Sequence, residues 1–358
     1  MGIVSTSYQV IVAGQDVTSR FEPRLLSIKI TRAADNAADE CSIELADPYG
    51  DIVLPQDRAP VMININGDQA FMGFVSDVDY SFSKGDGRRM SVGASSVDLG
   101  SKVKEPFLKH KDDASLADVA SEFGGRAGLQ VSVAGSIKSI QRPYWLAQNE
   151  SFMSWGQRIA NEVGASFKII GNRCYMVAIN EGISVSGQTL TPIAVTYGVN
   201  LISGNIAPII SRPKFKNVEI SYFDVKKGQR MKVDVPTGVD DVSSALRTVI
   251  TASDEAQAKQ QATTQGKKSD REKGGGSVTI LGNVFAEPEA LCNLSGIRPG
   301  IDGSYRIASV EHSLTKAAGF ETTLNLKQPS GGAGVDTRGT RPSGSPAGPS
   351  PQIAPPAP

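Results

Sequence analysis

The stretch Asp302–Gln328, DGSYRIASVEHSLTKAAGFETTLNLKQ, decides how the rest of the 358-residue chain is read. In its second half Phe320, Thr322, Leu324 and Leu326 alternate with Glu321, Thr323, Asn325 and Lys327. Successive side chains of a strand point to opposite faces, so this period of two predicts a half-buried strand. In the first half Tyr305 and Ile307 share one phase, while Val310, His312 and Leu314 share the other. The slip near Ser309 predicts a bulge or a strand buried on both sides. Lys316–Gly319 reads as the hairpin connection.

Similar strands fill most of the chain. Residues 8–98 carry YQVIV, LLSIKITR, ECSIELAD, VMININ, FMGFVSDVDYSF and RRMSVGASSVDL, with Asn66-Gly67 as a hairpin turn. That spacing predicts a small barrel or sandwich. Residues 105–185 change character. A helix is expected over 113–126, with Leu116, Val119, Ala120 and Phe123 on one face and Ser115 or Asp113 as cap. A second is expected over 149–164, with Phe152, Trp155, Ile159 and Val163 on one face, Ser151 as cap and Gly164 as stop. LQVSV lies between the helices, and SFKII with RCYMVAI forms a hairpin through Gly171-Asn172. From about Leu190 the strands return, with a polar helix near 253–270 and the glycine run Lys273–Ser277 as a flexible joint. Residues 329–358 are Pro, Gly, Ser and Ala with few large apolar groups, which predicts a disordered or extended tail.

The expected organisation is therefore 1–104, a first β-domain; 105–185, an α+β middle domain; 186–328, a second β-domain; and the tail. The two β-domains echo each other. Ile63-Asn64-Ile65-Asn66-Gly67 matches Cys292-Asn293-Leu294-Ser295-Gly296, and Val75–Ser81 matches Ile307–Ser313 in the same order. This reads as a duplicated β-module. In that alignment His312 stands where Tyr80 does, which makes it a structural strand residue.

Lys+Arg and Asp+Glu number 37 each, so the formal net charge is zero. A nucleic-acid binder carries a basic excess or stripe, because phosphate contacts dominate its affinity. Arg88-Arg89, Lys226-Lys227 and Lys267-Lys268 read as solvated turns or helix faces. Cys41, Cys174 and Cys292 sit far apart in strand-like contexts without a CxxC spacing, which argues against a disulfide framework or zinc site. No signal-peptide pattern opens the chain, and no stretch reaches the ~20 apolar residues of a membrane helix. Gly2 with Thr6 fits a myristoylation pattern, and Asn149 and Asn293 begin glycosylation triplets; all three read as chance matches.

Catalytic patterns are scarce. Phosphate loops, GxSxG and HExxH are absent, and His110 and His312 are far apart in sequence. His110 reads as an exposed loop residue. Asp112-Asp113 and Asp240-Asp241 occupy turn contexts. A glycosidase needs only two carboxylates, and Glu150 or Glu162 beside Trp155 would be the pair to test. A capped amphipathic helix explains both without chemistry. Trp155 reads as core, and Tyr144-Trp145 as either an exposed docking patch or a loop anchor. No catalytic, cofactor-binding or metal-ligating residue is assigned.

The segment LSGIRPGIDGSYRIASVEHSLTKAAGFETTLNLKQ resembles the C-terminal signature of the phage late control D family, the baseplate hub proteins of contractile tails. These are related to the N-terminal part of type VI secretion spike proteins. Gly296, Asp302-Gly303-x-Tyr305, Val310-x-His312 and Gly319-Phe320-x-Thr322-x-Leu324 carry the resemblance. SFMSWGQRIANEVGASFKIIGNRCYMV, SDEAQAKQQA and AFMGFVSDVDYSF extend it across most of residues 8–328.

The resemblance implies a mainly β fold, with two tube-type β-barrels of similar topology flanking an α+β insert. It implies a homotrimer joining the hexameric tail tube to the trimeric central spike. Baseplate wedge proteins would be its neighbours, and tape-measure protein and DNA would pass through its channel without specific binding. The expected setting is the virion's tail baseplate, assembled in the bacterial host cytoplasm, without membrane insertion. A tail-associated peptidoglycan hydrolase and a cell-wall glycan-binding module are the alternatives. Nothing in the sequence points to a transcription factor.

Overall fold

The computed structural model describes residues 6–338 apart from 86, 180, 183, 185–188, 211–214, 225–226, 238–242, 248–251 and 337. Gly2 and Asp240-Asp241 thus lie outside the described residues. The first region holds β1 (Tyr8–Val12), β2 (Gln15–Asp16), α1 (Thr18–Phe21), β3 (Leu25–Ala33), β4 (Glu40–Ala46), β5 (Pro60–Ile65), β6 (Asp68–Ser83) and β7 (Gly87–Ser95). Next come β8 (Pro106–Ser115), α2 (Leu116–Arg126), β9 (Gln130–Ala134), β10 (Gln141–Ser151), α3 (Phe152–Val163), β11 (Ala165–Ile170) and β12 (Arg173–Ala178). Then follow β13 (Ile193–Thr196), β14 (Leu201–Ala207), β15 (Asn217–Asp224), β16 (Gln229–Pro236) and β17 (Ala245–Arg247). Last are α4 (Glu255–Arg271), β18 (Gly275–Leu281), β19 (Leu291–Ser295), β20 (Gly303–Thr315) and β21 (Gly319–Ser330).

The chain is mainly β, as the alternation predicts. The two β-regions are not separate closed barrels, however. Thirteen strands join in one sheet, and among the described residues no ladder closes either region on itself. The reason lies in strand length. β19 pairs with β20 only as far as Arg306, so the outer part of β20, Ser309–Thr315, is left to pair antiparallel with β3. Each region nevertheless wraps around a core, the first of which also takes in Val284, Leu314 and Phe320 from the second region. Val10, Ile28, Ile43, Ile63, Phe71 and Val92 share one cluster, although β1 and β3 sit far apart in the order. Val195, Ile280, Cys292, Tyr305, Val310 and Leu324 share another.

The two strand orders are the same. They run β3-β4-β7-β6-β5-β1 in the first region and β14-β18-β21-β20-β19-β13 in the second. Counted from the N-terminal strand, and leaving out the two-residue β2 and the separate sheet β15–β17, each reads second, third, sixth, fifth, fourth, first. The β6–β7 ladder from Phe74↔Ser95 to Ser83↔Gly87 recurs pair for pair from Arg306↔Lys327 to Thr315↔Gly319. Its bulge recurs too, between Val75 and Asp77 and between Ile307 and Ser309. A second bulge, between Leu25 and Ser27 against β4, returns between Leu201 and Ser203 against β18. One difference is that β1 meets β5 antiparallel whereas β13 meets β19 parallel.

The bulge expected near Ser309 is present, with an effect opposite to a change of face. Tyr305, Ile307, Val310, His312 and Leu314 are all buried. The extra residue, Ala308, restores the phase and keeps the second half of β20 on the core side. The glycine run Lys273–Ser277 is not a joint. Gly275 and Gly276 open β18, where an added Cβ would lie 2.2 Å from the Leu326 carbonyl oxygen and 2.1 Å from that of Asn205. Glycine is required there by close backbone approach on both sides. Nor does the tail begin at 329. β21 runs to Ser330, Ala333 is buried, and Arg298 bonds Asp336 at 2.7 Å.

Between the β-regions, α2 and α3 start at Ser115 and Ser151, whose hydroxyls accept from Asp118 and Ser154 backbone N–H groups at 3.2 Å each. Gly164, at φ 73°, ends α3. Asn149, Glu150 and Asp113, expected in helices or turns, belong instead to the ribbon β8–β10. Phe123, Trp155, Phe152 and Phe167 form a chain of ring contacts in the core beneath. Phe167 lies so close to α3 that a Cβ at Gly156 would meet its ring at 2.3 Å. β15, β16 and β17 form a small sheet apart from the main one, with Val218, Ile220, Tyr222 and Val233 packed against Ala258 and Ala262 of α4.

Candidate assembly surfaces

His312 sits where the two β-regions join. Its neighbours across the ladders are Thr322 on β21 and Ile30 on β3. It is 1 % exposed, with Nδ1 3.0 Å from Thr322 Oγ1 and its ring 5.8 Å from that of Phe320. Burial, and then the Arg32 charge, push its pKa down to about 3. A neutral imidazole wedged between strands is a structural group. The signature residues around it are structural too. Asp302 accepts from the backbone N–H groups of Gly296, Ile297 and Arg298, and Tyr305 donates to the Ile301 carbonyl at 2.7 Å.

The carboxylates weighed for hydrolysis are engaged elsewhere. Glu150 pairs with Arg158. Glu162 takes Arg142 at 3.2 Å and accepts from Gln257 Nε2 at 2.7 Å and from Gln261, so it ties α3 to α4. Trp155 is fully buried and offers no sugar platform. Trp145 and Tyr144, read as a docking patch or a loop anchor, both lie on strand β10 and not in a loop. Trp145 is buried, donates to the Ala114 carbonyl at 2.9 Å and lies under the Arg142 guanidinium. Tyr144 is exposed and stacks on His110, which lies on strand β8 and not in a loop. The pair Asp112-Asp113 is likewise in β8. All three cysteines are free and buried, and burial lifts the Cys41 and Cys292 thiols to about 12.

A cavity of about 170 Å³ lies where the three regions meet, lined by Arg32, Asp39, Lys168 and Glu287 among others. Its charges hold elements together. Lys168 Nζ donates to Asp39 at 2.8 Å and to the Ala33 carbonyl at 2.9 Å, and Arg32 donates to the Ala70 carbonyl. Burial raises the Glu287 pKa. Nearby, Arg271 at the end of α4 pairs with buried Glu289 at 2.5 Å. Sequence reasoning missed these locks, because each joins residues distant in the chain.

What remains accessible is edge and apolar surface. β14 is laddered on one side only among the described residues, and so is β6 over Asp77–Phe82. Phe82 is 78 % exposed at the tip of the β6–β7 hairpin. Val199, Ile202, Leu281 and Phe285 stand out around the end of β14 and β18. Apolar side chains beside an open strand edge are a liability for a lone chain, and exposed patches of this kind are in general interaction sites.

No protein-family model matches the chain. The probable baseplate hub protein of Escherichia phage 186 is 24 % identical over 365 residues, covering 90 % of this chain and 93 % of that protein. That of Escherichia phage P2 is 23 % identical over 199 residues, covering 54 % of this chain and 50 % of that one. The fold is shared with the 43 kDa tail protein of prophage MuSo2 from Shewanella oneidensis. There the TM-score is 0.66 at 15 % identity, over 89 % of this chain and 97 % of that one. It is also shared with an Escherichia coli component of the type VI secretion system, at TM-score 0.53 and 10 % identity, over 92 % and 78 %. In sequence this chain is similar to the probable baseplate hub protein of Escherichia phage 186 along nine-tenths of its length, and to that of Escherichia phage P2 along about half.

Proposed function

We propose that the chain is the structural hub of a contractile-tail baseplate, a trimeric adaptor between the hexameric tail tube and the trimeric central spike. One observation carries the reading: both β-regions repeat one strand order with both bulges in register. Three chains with two such modules each present six similar units on a true three-fold axis, which meets a six-fold ring on one face and a three-fold spike on the other. Each module is a wrapped, tube-type half whose open edges close on neighbouring modules. In this plan 1–104 is the first module, 105–185 the middle domain and 186 onward the second module, carried past 328 to at least Ser330 by β21. Wedge proteins would surround the ring, and the tape-measure protein and then DNA would pass through a bore of polar strand faces.

The test is native mass by light scattering with negative-stain images of the same sample. A three-chain ring with six similar lobes is the expected result. A chain that stays monomeric with its tube and spike proteins present sinks the reading. Hydrolysis has no geometry in its favour. The Glu150→Gln/Glu162→Gln variant is expected to leave peptidoglycan turbidity as the wild type does, while losing about 1.5–3 kcal/mol of stability through the partly buried Glu162 bonds. Clearing by the wild type that this variant abolishes would restore the enzyme reading.

A further inference from the structure

We infer that β14 of one chain pairs antiparallel with residues 77–83 of β6 in a second copy, in the register that β3 and β20 use within one chain. The step rests on the hub reading for the number of chains in the ring, and on the internal repeat for everything else.

Within the chain the second module grips the first through one ladder. His312 lies opposite Ile30, Ser313 opposite Lys29, and Leu314 opposite Ile28. Each of these strands has a counterpart in the other module. The shared β6–β7 and β20–β21 register sets Tyr80 for His312, Ser81 for Ser313 and Phe82 for Leu314. The shared bulge sets Gly204 for Ile28 and Ile206 for Ile30, because Ile28 and Ile30 pair with Ile43 and Cys41 as Gly204 and Ile206 pair with Val278 and Gly276. The missing ladder therefore places Tyr80 opposite Ile206, Ser81 opposite Asn205 and Phe82 opposite Gly204.

Burial shows which of the two ladders lacks its partner. Ile28 and Leu314 are buried, whereas Gly204 and Phe82 at the equivalent places are exposed. Side-chain sizes fit the pairing as well. Two mid-sized residues, Ile28 and Leu314, face each other inside the chain. Between chains a strand glycine, beside which Val278 Cγ1 would lie 2.9 Å from an added Cβ, would face an aromatic ring that covers it from the open edge. The hairpin ends agree: Ser83-Lys84-x-x-Gly87 repeats Thr315-Lys316-x-x-Gly319. Lys316 Nζ donates to the Pro23 carbonyl at 3.2 Å, and the same reach would bring Lys84 to the Val199 carbonyl of the next chain. The two edges are unlike, so the contact is head-to-tail and can close a ring.

The test is disulfide trapping in the full chain carrying Ser81→Cys and Asn205→Cys, with Ser81→Cys/Gln15→Cys as the control on another exposed edge. The three native cysteines are buried and stay silent. Mild oxidation is expected to give linked dimers and trimers from the first variant and single chains from the control. Phe82→Arg is expected to reduce the native mass to one chain without lowering the melting temperature. Equal cross-linking of both variants, or a trimer that yields no link at these positions, overturns the pairing while the hub reading stands. A chain that neither cross-links nor assembles with tube and spike proteins overturns both.

Discussion

Replacing Lys168 with alanine is expected to lower the unfolding free energy by about 3–5 kcal/mol, the cost of breaking a buried ion pair from one side. The Lys168 side chain is 4 % exposed and that of Asp39 13 %. Truncation leaves the Asp39 carboxylate without its cation in that setting, while the Ala33 carbonyl keeps the Asn36 N–H at 3.3 Å. Lys168→Met with Asp39→Leu removes both charges and is expected to recover most of the loss, since apolar replacement of a buried pair is often neutral. The site is a seam. Ile169 N–H bonds the Ala37 carbonyl at 2.8 Å, and Ser166 Oγ donates to the Ala34 carbonyl at 2.6 Å, so β11 is stitched to the loop after β3. Both tryptophans, Trp145 and Trp155, are buried in the same core as Phe167. Urea unfolding followed by tryptophan fluorescence therefore reports on this seam. Alanine at 168 costing less than about 1 kcal/mol, or a double variant no better than the single, would show that the pair does not hold it.

This seam also marks the limit of what local pattern reveals. SFKII read correctly as a strand, and Gly171-Asn172 correctly as its turn, because both are short-range properties. Nothing local to that strand marks Lys168 as buried. Only the fold brings Asp39 to it from 129 positions away. The helix cap Ser151, and Ser115 as one of two candidates, were legible for the same local reason. The glycines at 274–276 were misread because composition reports freedom, whereas a packed sheet can demand the same residue for lack of room. The joining of β20 to β3 left no local mark at all.

The proposed assembly surface was half legible. The match of Val75–Ser81 to Ile307–Ser313 contained the correct register, down to the bulged position, Ser76 against Ala308. The β3–β14 equivalence was hidden by sequence, since Ile28 and Gly204 share nothing as residue types. It appears only through their pairing partners. β14 itself reads LISGNIA, with no alternation for local pattern to catch.

Lowering the pH from 7 to 5 is expected to cost the wild type about 2 kcal/mol more stability than it costs His312→Leu. The unfolded chain binds a proton at this histidine below its ordinary pKa of 6.5, whereas the folded chain resists it down to about 3. Between those values the unfolded state holds more protons, so stability falls as pH falls, by about 1.4 kcal/mol per unit from this group. The contribution is fully present above 6.5 and wholly lost only near 3. Leucine at 312 suits the site, which is lined by Phe320 and Ile30, and leaves Thr322 its bond from the Asn283 N–H at 2.9 Å. Urea midpoints of both proteins at pH 7, 6 and 5 measure the difference directly, with the common carboxylate titrations cancelling between them. Parallel stability curves would mean that His312 is protonated as readily in the fold as outside it, and that the β20–β3 junction opens enough at neutral pH to admit water. Diverging curves would mean that the ladder closing one module onto the other stays dry. A dry ladder inside the chain is what a second copy of it, formed between Tyr80 and Ile206, would have to reproduce.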